Sequence, residues 1–422
     1  MKILLIAPPF GKKIRKKVET YPPLGILQLS AYLREKGIES EMQDLTVSET
    51  PKREIKKIFT ENDFQVVGIS CIIASYKSSV MIARQIKKLK PGIKIILGGI
   101  YPTFDDKEIL KNNPEIDIIV RGEGELTLWK LLEKLKNNKD FSKILGISFR
   151  KGTVVYRNPD RPLIDNLDEL PMPAYDQLKT LNYFQKIGKF LIITSRGCPY
   201  QCSFCSTSNY WRHRWRAKSA EKVLAELEKL VNLGAKNILV GDDLFIPDKK
   251  RVIEICQGII RKKLKFKWIC SFRANLVDKT LLRWIKKAGC DSIFIGGESG
   301  NQKTLNKIDK RQTVEEIIRA RQLCKECNVK LVISFIIGFP WEKKKEIEDT
   351  INLAKQIKAD ETVWFIFHSD IGSPMFKAKE AITFRKYNPD KCLESLGSGT
   401  RTKYVGSKEL EGLYLQAILE TS

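Results

Sequence analysis

Short apolar runs alternate with amphipathic stretches along most of the chain. In the first third the runs are Ile3-Leu4-Leu5-Ile6, Val66-Val67-Gly68-Ile69-Ser70, Lys94-Ile95-Ile96-Leu97-Gly98-Gly99 and Ile116-Asp117-Ile118-Ile119-Val120. Their length predicts buried strands. Between them apolar residues recur at helical spacing over 25–36, 75–89 and 126–136. This alternation predicts an α/β fold: a doubly wound, Rossmann-like domain over residues 1–145, with helices on both faces of a parallel sheet. Ile147 to Arg150 and Val154 to Arg157 flank Lys151-Gly152 and read as a hairpin. With the proline-stiffened link Leu170-Pro171-Met172-Pro173-Ala174-Tyr175 it makes 146–187 a connector.

The alternation resumes near 188. Strands are predicted at 190–194, 237–240, 267–271, 292–295, 330–337 and 363–367, with helices over 220–233, 251–262, 279–288, 314–327 and 344–358. Six strand–helix units over 188–385 predict a partial, open (β/α)6 barrel whose function lies where the strands end. After 386 the pattern is lost. Gly397-Ser398-Gly399-Thr400 reads as flexible and 409–419 as one short helix, a short C-terminal tail.

The loop leaving the first barrel strand carries Cys198, Cys202 and Cys205 within Ser195 to Ser206. Three thiolates so close suit an iron–sulfur cluster, holding three of four irons and leaving one open, or a zinc ion. Zinc would need a fourth ligand, and His213 is the nearby candidate. Gly197 lets the backbone approach and Pro199 stiffens the turn.

The other strand ends form a polar set: Gly241-Asp242-Asp243, Arg273-Ala274-Asn275, Gly296-Gly297-Glu298-Ser299-Gly300, Gly338-Phe339-Pro340 and His368-Ser369-Asp370. Acids can accept from ribose hydroxyls or an amino group, and Arg273 can pair with a carboxylate. An acid there can also simply cap the next helix. The first domain's strand ends are glycine-rich instead: Pro8-Pro9-Phe10-Gly11, Ser70-Cys71, Gly98 to Pro102 and Arg121 to Glu125. A bulky flat ligand could approach such backbone, although turn glycines of a doubly wound fold read the same way.

Composition narrows the choice. The 422 residues, 42% hydrophobic, allow two or three domains with real cores. No apolar run is long enough for a transmembrane helix, and the one at Met1–Pro9 is too short for a signal peptide. Ten cysteines, three clustered, suit a reducing cytoplasm. The net charge of +25 favours anionic partners. Its lysines spread over helix faces, as in Glu54-Ile55-Lys56-Lys57, which ranks nucleic acid below a small-molecule or lipid substrate. The basic and aromatic run Trp211 to Lys218 fits stacked bases, or better a seam between domains. Cys324 and Cys327 share a helix face and read as a second cluster site or, better, as core, and His368 as a base or a rim residue.

The cluster loop resembles the C-x3-C-x-aromatic-C signature of the radical S-adenosylmethionine superfamily, matched by Cys198, Cys202, Phe204 and Cys205. The resemblance spans about 188–376 and implies a [4Fe–4S] cluster on the three cysteines, its open iron chelated by S-adenosylmethionine. Contacts to that cofactor are implied for Phe204, Asp243, Arg273, Glu298, Ser299 and Gly338. Asp243 stands in place of the family's commoner Gly-Gly-Glu. Tyr21-Pro22-Pro23-Leu24-Gly25, Leu29 to Gly37, Gly98 to Thr103 and Gly122 to Glu125 resemble the cobalamin-binding domain of one branch, implying cobalamin contacts from Pro22, Leu24, Gly98, Gly99, Tyr101, Gly122 and Glu123. The Asp-x-His-x-x-Gly motif of many cobalamin proteins is missing. His213 and His368 lie outside the first domain, so cobalamin is expected without a histidine ligand from it. The implied protein is a cytoplasmic, cobalamin-dependent methyltransferase acting on an unactivated carbon or phosphorus centre, with an electron donor such as flavodoxin or ferredoxin. A radical cyclase or ring-rearranging enzyme with the same cofactors is the alternative, and a zinc-stapled, basic nucleic-acid-binding protein the rival. No catalytic residue is singled out.

Overall fold

The computed structural model describes residues 1–11, 21–178, 189–377 and 400–421. They fall into two compact units, 1–178 and 189–421. The expected flexible stretch 397–399 and the domain limits set near 188 and 385 lie outside the described residues.

The first unit is a seven-stranded sheet: β1 (Lys2–Ala7), β2 (Glu39–Asp44), β3 (Val66–Ser70), β4 (Lys94–Gly98), β5 (Ile118–Val120), β6 (Ile147–Lys151) and β7 (Val154–Arg157). Their spatial order is β2-β1-β3-β4-β5-β6-β7. The first five are parallel, and the direction of winding reverses between β1 and β3. Helices Leu24–Glu35, Pro51–Glu61, Tyr76–Leu89, Ile100–Asn112 and Gly124–Lys136 accompany them. A strand covered on both faces needs an unbroken apolar run, and Ile3, Leu4, Leu5 and Ile6 are all buried.

Two features differ from the plain run-by-run reading. Strand β2, Glu-Ser-Glu-Met-Gln-Asp, is polar because it is an edge strand, pairing only with β1, where Lys2 bridges Glu41 at 2.6 Å. The hairpin β6–β7 runs antiparallel along β5 and extends this sheet. Buried Arg121 fixes it, donating to Asp160 at 2.8 Å and to Ser148 on β6.

The second unit is an open, wholly parallel sheet in sequential order: β8 (Lys189–Ile192), β11 (Asn237–Val240), β12 (Lys267–Phe272), β13 (Cys290–Glu298), β14 (Lys330–Ile337) and β15 (Glu361–Ile366). A two-stranded ribbon, β9 (Ser195–Arg196) with β10 (Arg216–Ala217), follows β8. Helices alternate with the strands and start on side-chain caps: Asp248 accepts from Arg251 N at 3.0 Å, Asp278 from Leu281 N at 2.8 Å, and Thr313 and Glu316 form a capping box. The last helix, Ser407–Thr421, packs on β15, where Trp364 Nε1 donates to Thr421 Oγ1 at 2.9 Å. Among the described residues no helix is long and apolar enough to cross a membrane.

Candidate active site

The cysteine loop is tied at its base. Strands β9 and β10 pair and return the chain to where it left. Gly197 sits at φ +94°, and a Cβ there would lie 2.0 Å from the Arg214 carbonyl oxygen, so only glycine closes the loop. Two neighbouring acids after β11 anchor it. Buried Asp242 accepts from Thr194 N, Thr194 Oγ1 and Ser195 Oγ, each at 2.6 Å. Asp243 accepts from Gly197 N at 2.9 Å. Part of Asp243 stays open to solvent, yet the surrounding wall strips enough water to push its carboxyl up to about 6 against the pull of the Gly197 N–H. The helix after β11 is capped by Asp248, not by either acid.

Within the loop Cys205 N donates to Cys202 O at 3.1 Å and Ser203 N to Ile308 O at 2.9 Å. Cys202 is buried, with Cys198 and Cys205 half-buried. Burial pushes the Cys198 thiol up to about 11. It therefore keeps its proton until a metal supplies positive charge. Among the described residues no three His, Cys, Asp or Glu side chains group tightly enough for one metal ion.

Arg273, at the end of β12, is 5% exposed. Its Nη1 lies 3.6 Å from Cys202 Sγ, its guanidinium lies 3.6 Å from the Tyr200 ring centroid, and its Nε and Nη2 have no partner. Ser203 Oγ, Asn275 Oδ1 and Ser369 Oγ are also buried without partners. Buried donors left unpaired are costly, so this strand-end rim is shaped for a polar guest.

Glu298 adopts φ +64°, unusual for a non-glycine residue. Lys310 Nζ holds it at 2.6 Å in a buried pair. At Gly296, beside them, an added Cβ would meet Glu298 Oε1 at 2.2 Å. Ser299 is fully buried, shares a 3.1 Å hydrogen bond with Thr350 and accepts from Asn301 N. Gly338, at φ +87°, donates to Glu342 Oε2 at 2.8 Å, as Phe339 N does at 3.0 Å. Burial pushes the Glu342 carboxyl up to about 8. Phe204 meets Phe339 edge to face at 6.2 Å, and Phe339 stacks on Trp341, giving an apolar wall beside the cysteines. Lys310, Glu342 and Tyr200 were not among the expected residues. Glu342 had a signal, four positions after Gly338, whereas Lys310 sits in a plain polar turn. His368 Nδ1 lies 3.2 Å from Asp370. In the basic run, Trp215 donates to Leu244 O and Lys218 pairs with buried Glu226.

The first unit's strand ends look different. Gly98 ends β4 and pairs with Val120 of β5, Gly99 follows it at the start of the next helix, and Gly122 comes two residues after β5. Gly99 has φ +117°, and a Cβ there would lie 2.3 Å from the Cys71 carbonyl oxygen. Around the missing Cβ of Gly122 the space is open. Val47 and Ile72, after β2 and β3, are exposed. The other expected residues turn inward. Tyr101 OH donates to Asp105 at 2.7 Å, Glu123 accepts from Ile164 N at 2.7 Å, and Pro22 and Leu24 are buried.

Comparison with known proteins identifies both domains. The family model of the Radical SAM superfamily matches residues 192–354, and that of the B12 binding domain residues 14–132. An uncharacterized methyltransferase of Pyrococcus horikoshii, PH0819, is 36% identical over 367 residues, spanning 85% of this chain and 79% of that protein. The chain belongs to the radical SAM superfamily, in the branch that carries a B12 binding domain. The anaerobic magnesium-protoporphyrin IX monomethyl ester cyclase of Rubrivivax gelatinosus is 28% identical, covering 92% of this chain and 72% of that one. The structure of the radical S-adenosylmethionine methyltransferase TsrM from Kitasatospora setae, with cobalamin and a [4Fe–4S] cluster bound, shares the fold at a TM-score of 0.77 and 19% identity, over 89% of this chain and 73% of that chain. The chain is thus a radical SAM enzyme, and the expected α/β class, with a B12 binding domain ahead of an open parallel radical SAM sheet, holds.

Proposed function

We propose that this enzyme is a cobalamin-dependent radical S-adenosylmethionine methyltransferase acting on an unactivated carbon or phosphorus centre of a small molecule or lipid. Arg273 is the observation that carries the reading. A buried guanidinium with two unpaired N–H groups beside a signature cysteine needs an anionic guest. The carboxylate of S-adenosylmethionine supplies that anion.

When bound, the cluster provides the electron that cleaves S-adenosylmethionine to a 5′-deoxyadenosyl radical, and cobalamin carries the methyl group. The protein's own residues bind and orient. Cys198, Cys202 and Cys205 hold the cluster. Asp243 takes the cofactor's amino group while tethering Gly197, and Arg273 takes its carboxylate. Glu298, pinned by Lys310, takes the ribose, with Ser299 setting the turn behind it. Phe204 and the Gly338-Phe339 loop wall the adenine. In the first unit Gly98, Gly99 and Gly122, with exposed Val47 and Ile72, offer backbone and apolar surface to cobalamin. Neither histidine of the chain belongs to that unit, so none from it ligates the cobalt. The proposed setting is a reducing cytoplasm with a flavodoxin- or ferredoxin-like electron donor. The basic balance suits an anionic substrate.

The test is turnover of reduced, cobalamin-loaded enzyme against fractionated lipid and polar extracts. Comparable amounts of 5′-deoxyadenosine and S-adenosylhomocysteine, with a product heavier by one methyl, are expected. Deoxyadenosine with an unmethylated, cyclised or rearranged product would select cyclase chemistry, and zinc in place of iron and sulfide would overturn the reading.

A further inference from the structure

Few charges near the cysteine loop are both buried and uncompensated. Glu298 is neutralised by Lys310 at 2.6 Å. Arg311 is exposed and paired with Asp309 at 2.9 Å. Arg273 differs. It is buried, makes no ion pair among the described residues, and places Nη1 3.6 Å from Cys202 Sγ. Its plane lies against the Tyr200 ring, two positions before Cys202 in the same loop. Ring and sulfur thus hold one guanidinium between them, at a sequence separation of 71 residues.

Hydrogen bonds and positive charge at a ligand sulfur stabilise the form of a cluster that has gained an electron. A guanidinium does this in a fixed orientation, because its planar fork stacks on an aromatic face as a lysine ammonium cannot. We propose that Arg273 sets the reduction potential of the cluster through Cys202, with Tyr200 holding the guanidinium against the sulfur. This is a role on the cluster itself, separate from pairing with a carboxylate, and it rests on the radical SAM reading of the loop.

The test is an anaerobic redox titration followed by electron paramagnetic resonance, without S-adenosylmethionine, so that loss of a cofactor contact cannot contribute. Reconstituted full-length wild type, Arg273→Met, Arg273→Lys and Tyr200→Leu are compared after iron and sulfide analysis. Arg273→Met should move the midpoint more negative, by about tenfold in the reduction equilibrium, which is about 59 mV for one electron. Arg273→Lys should move it less, and Tyr200→Leu in the same direction by an intermediate amount. A fully loaded Arg273→Met protein with the wild-type midpoint would overturn the proposal. Loss of iron from both Arg273 variants would also overturn it, making the residue a prop for the pocket. A wild type that binds no four-iron cluster would instead sink the functional reading.

Discussion

At the strand ends of the second unit Asp242, Arg273 and Glu298 are buried, with Lys310 from the turn after helix Gln302–Lys307, each committed to a named atom or left with donors to spare. At the strand ends of the first unit the corresponding places hold Gly98, Gly99 and Gly122, with Val47 and Ile72 exposed and Tyr101 and Glu123 turned inward. On the proposed function, the first arrangement would recognise a small charged guest by side-chain charge and hydrogen bonds. The second would receive a large flat one by withdrawing side chains and presenting backbone. The two rims should therefore fail differently when altered: one by deleting functional groups, the other by adding bulk.

The largest effect tests the first half of that contrast. Replacing Cys198, Cys202 and Cys205 together by alanine should abolish the iron–sulfur absorption and all cleavage of S-adenosylmethionine, with cobalamin retention unchanged. Stoichiometric cluster in the triple variant would show the ligands misassigned.

Adding bulk to the other rim should have an intermediate effect. Valine at Gly99 must place a branched side chain at φ +117° with its Cβ 2.3 Å from the Cys71 carbonyl. The backbone strain at that φ alone is about 1–3 kcal/mol, before the overlap with Cys71 is relieved. Gly99→Val should lower cobalamin affinity about tenfold or more, while iron content stays at the wild-type value. Unchanged cobalamin retention in equilibrium dialysis would remove Gly99 from the site.

The smallest effect on cofactor content, read instead in stability, concerns a carboxyl of the Gly338 loop at the second rim. Folding raises Glu342 from 4.5 to about 8, so the folded protein keeps this proton where the unfolded chain has lost it. The term stabilises fully below pH 4.5 and is lost as pH rises toward 8, at about 1.4 kcal/mol per pH unit. Glu342→Gln keeps an oxygen for Gly338 N and Phe339 N but has no proton to lose. Denaturant melts from pH 5 to 8 should show the variant gaining on wild type as pH rises. A constant difference across that range would place the Glu342 titration elsewhere.

Much of the fold was legible. The strands predicted at 237–240 and 330–337 coincide with β11 and β14, and the helices predicted in the second unit end within two residues of expectation, while the short helices Thr207–Tyr210, Gln302–Lys307 and Pro374–Lys377 were not predicted. What escaped were elements whose sequence reflects their neighbours. Strand β2 is polar because it lies at an edge, and nothing in Ile147 to Arg157 says that its hairpin joins β5. At the site, an acid at a strand end could equally cap a helix or serve a cofactor loop. The structure gives the capping to Asp248 and Asp278 and leaves Asp242 and Asp243 to the cysteine loop.

The sequence by itself determined the periodic alternation of strand and helix, the cysteine spacing with its aromatic, the glycines at strand ends and the absence of a histidine from the first unit. Each is a local property, carried by residues within a few positions of one another. Only the tertiary structure decided that Asp243 ties Gly197, 46 residues away, that Arg273 reaches Cys202, and that Lys310 pins Glu298. Those pairings are set by which strand lies next to which and by the cost of burying a charge without a partner, and neither is written in a local pattern.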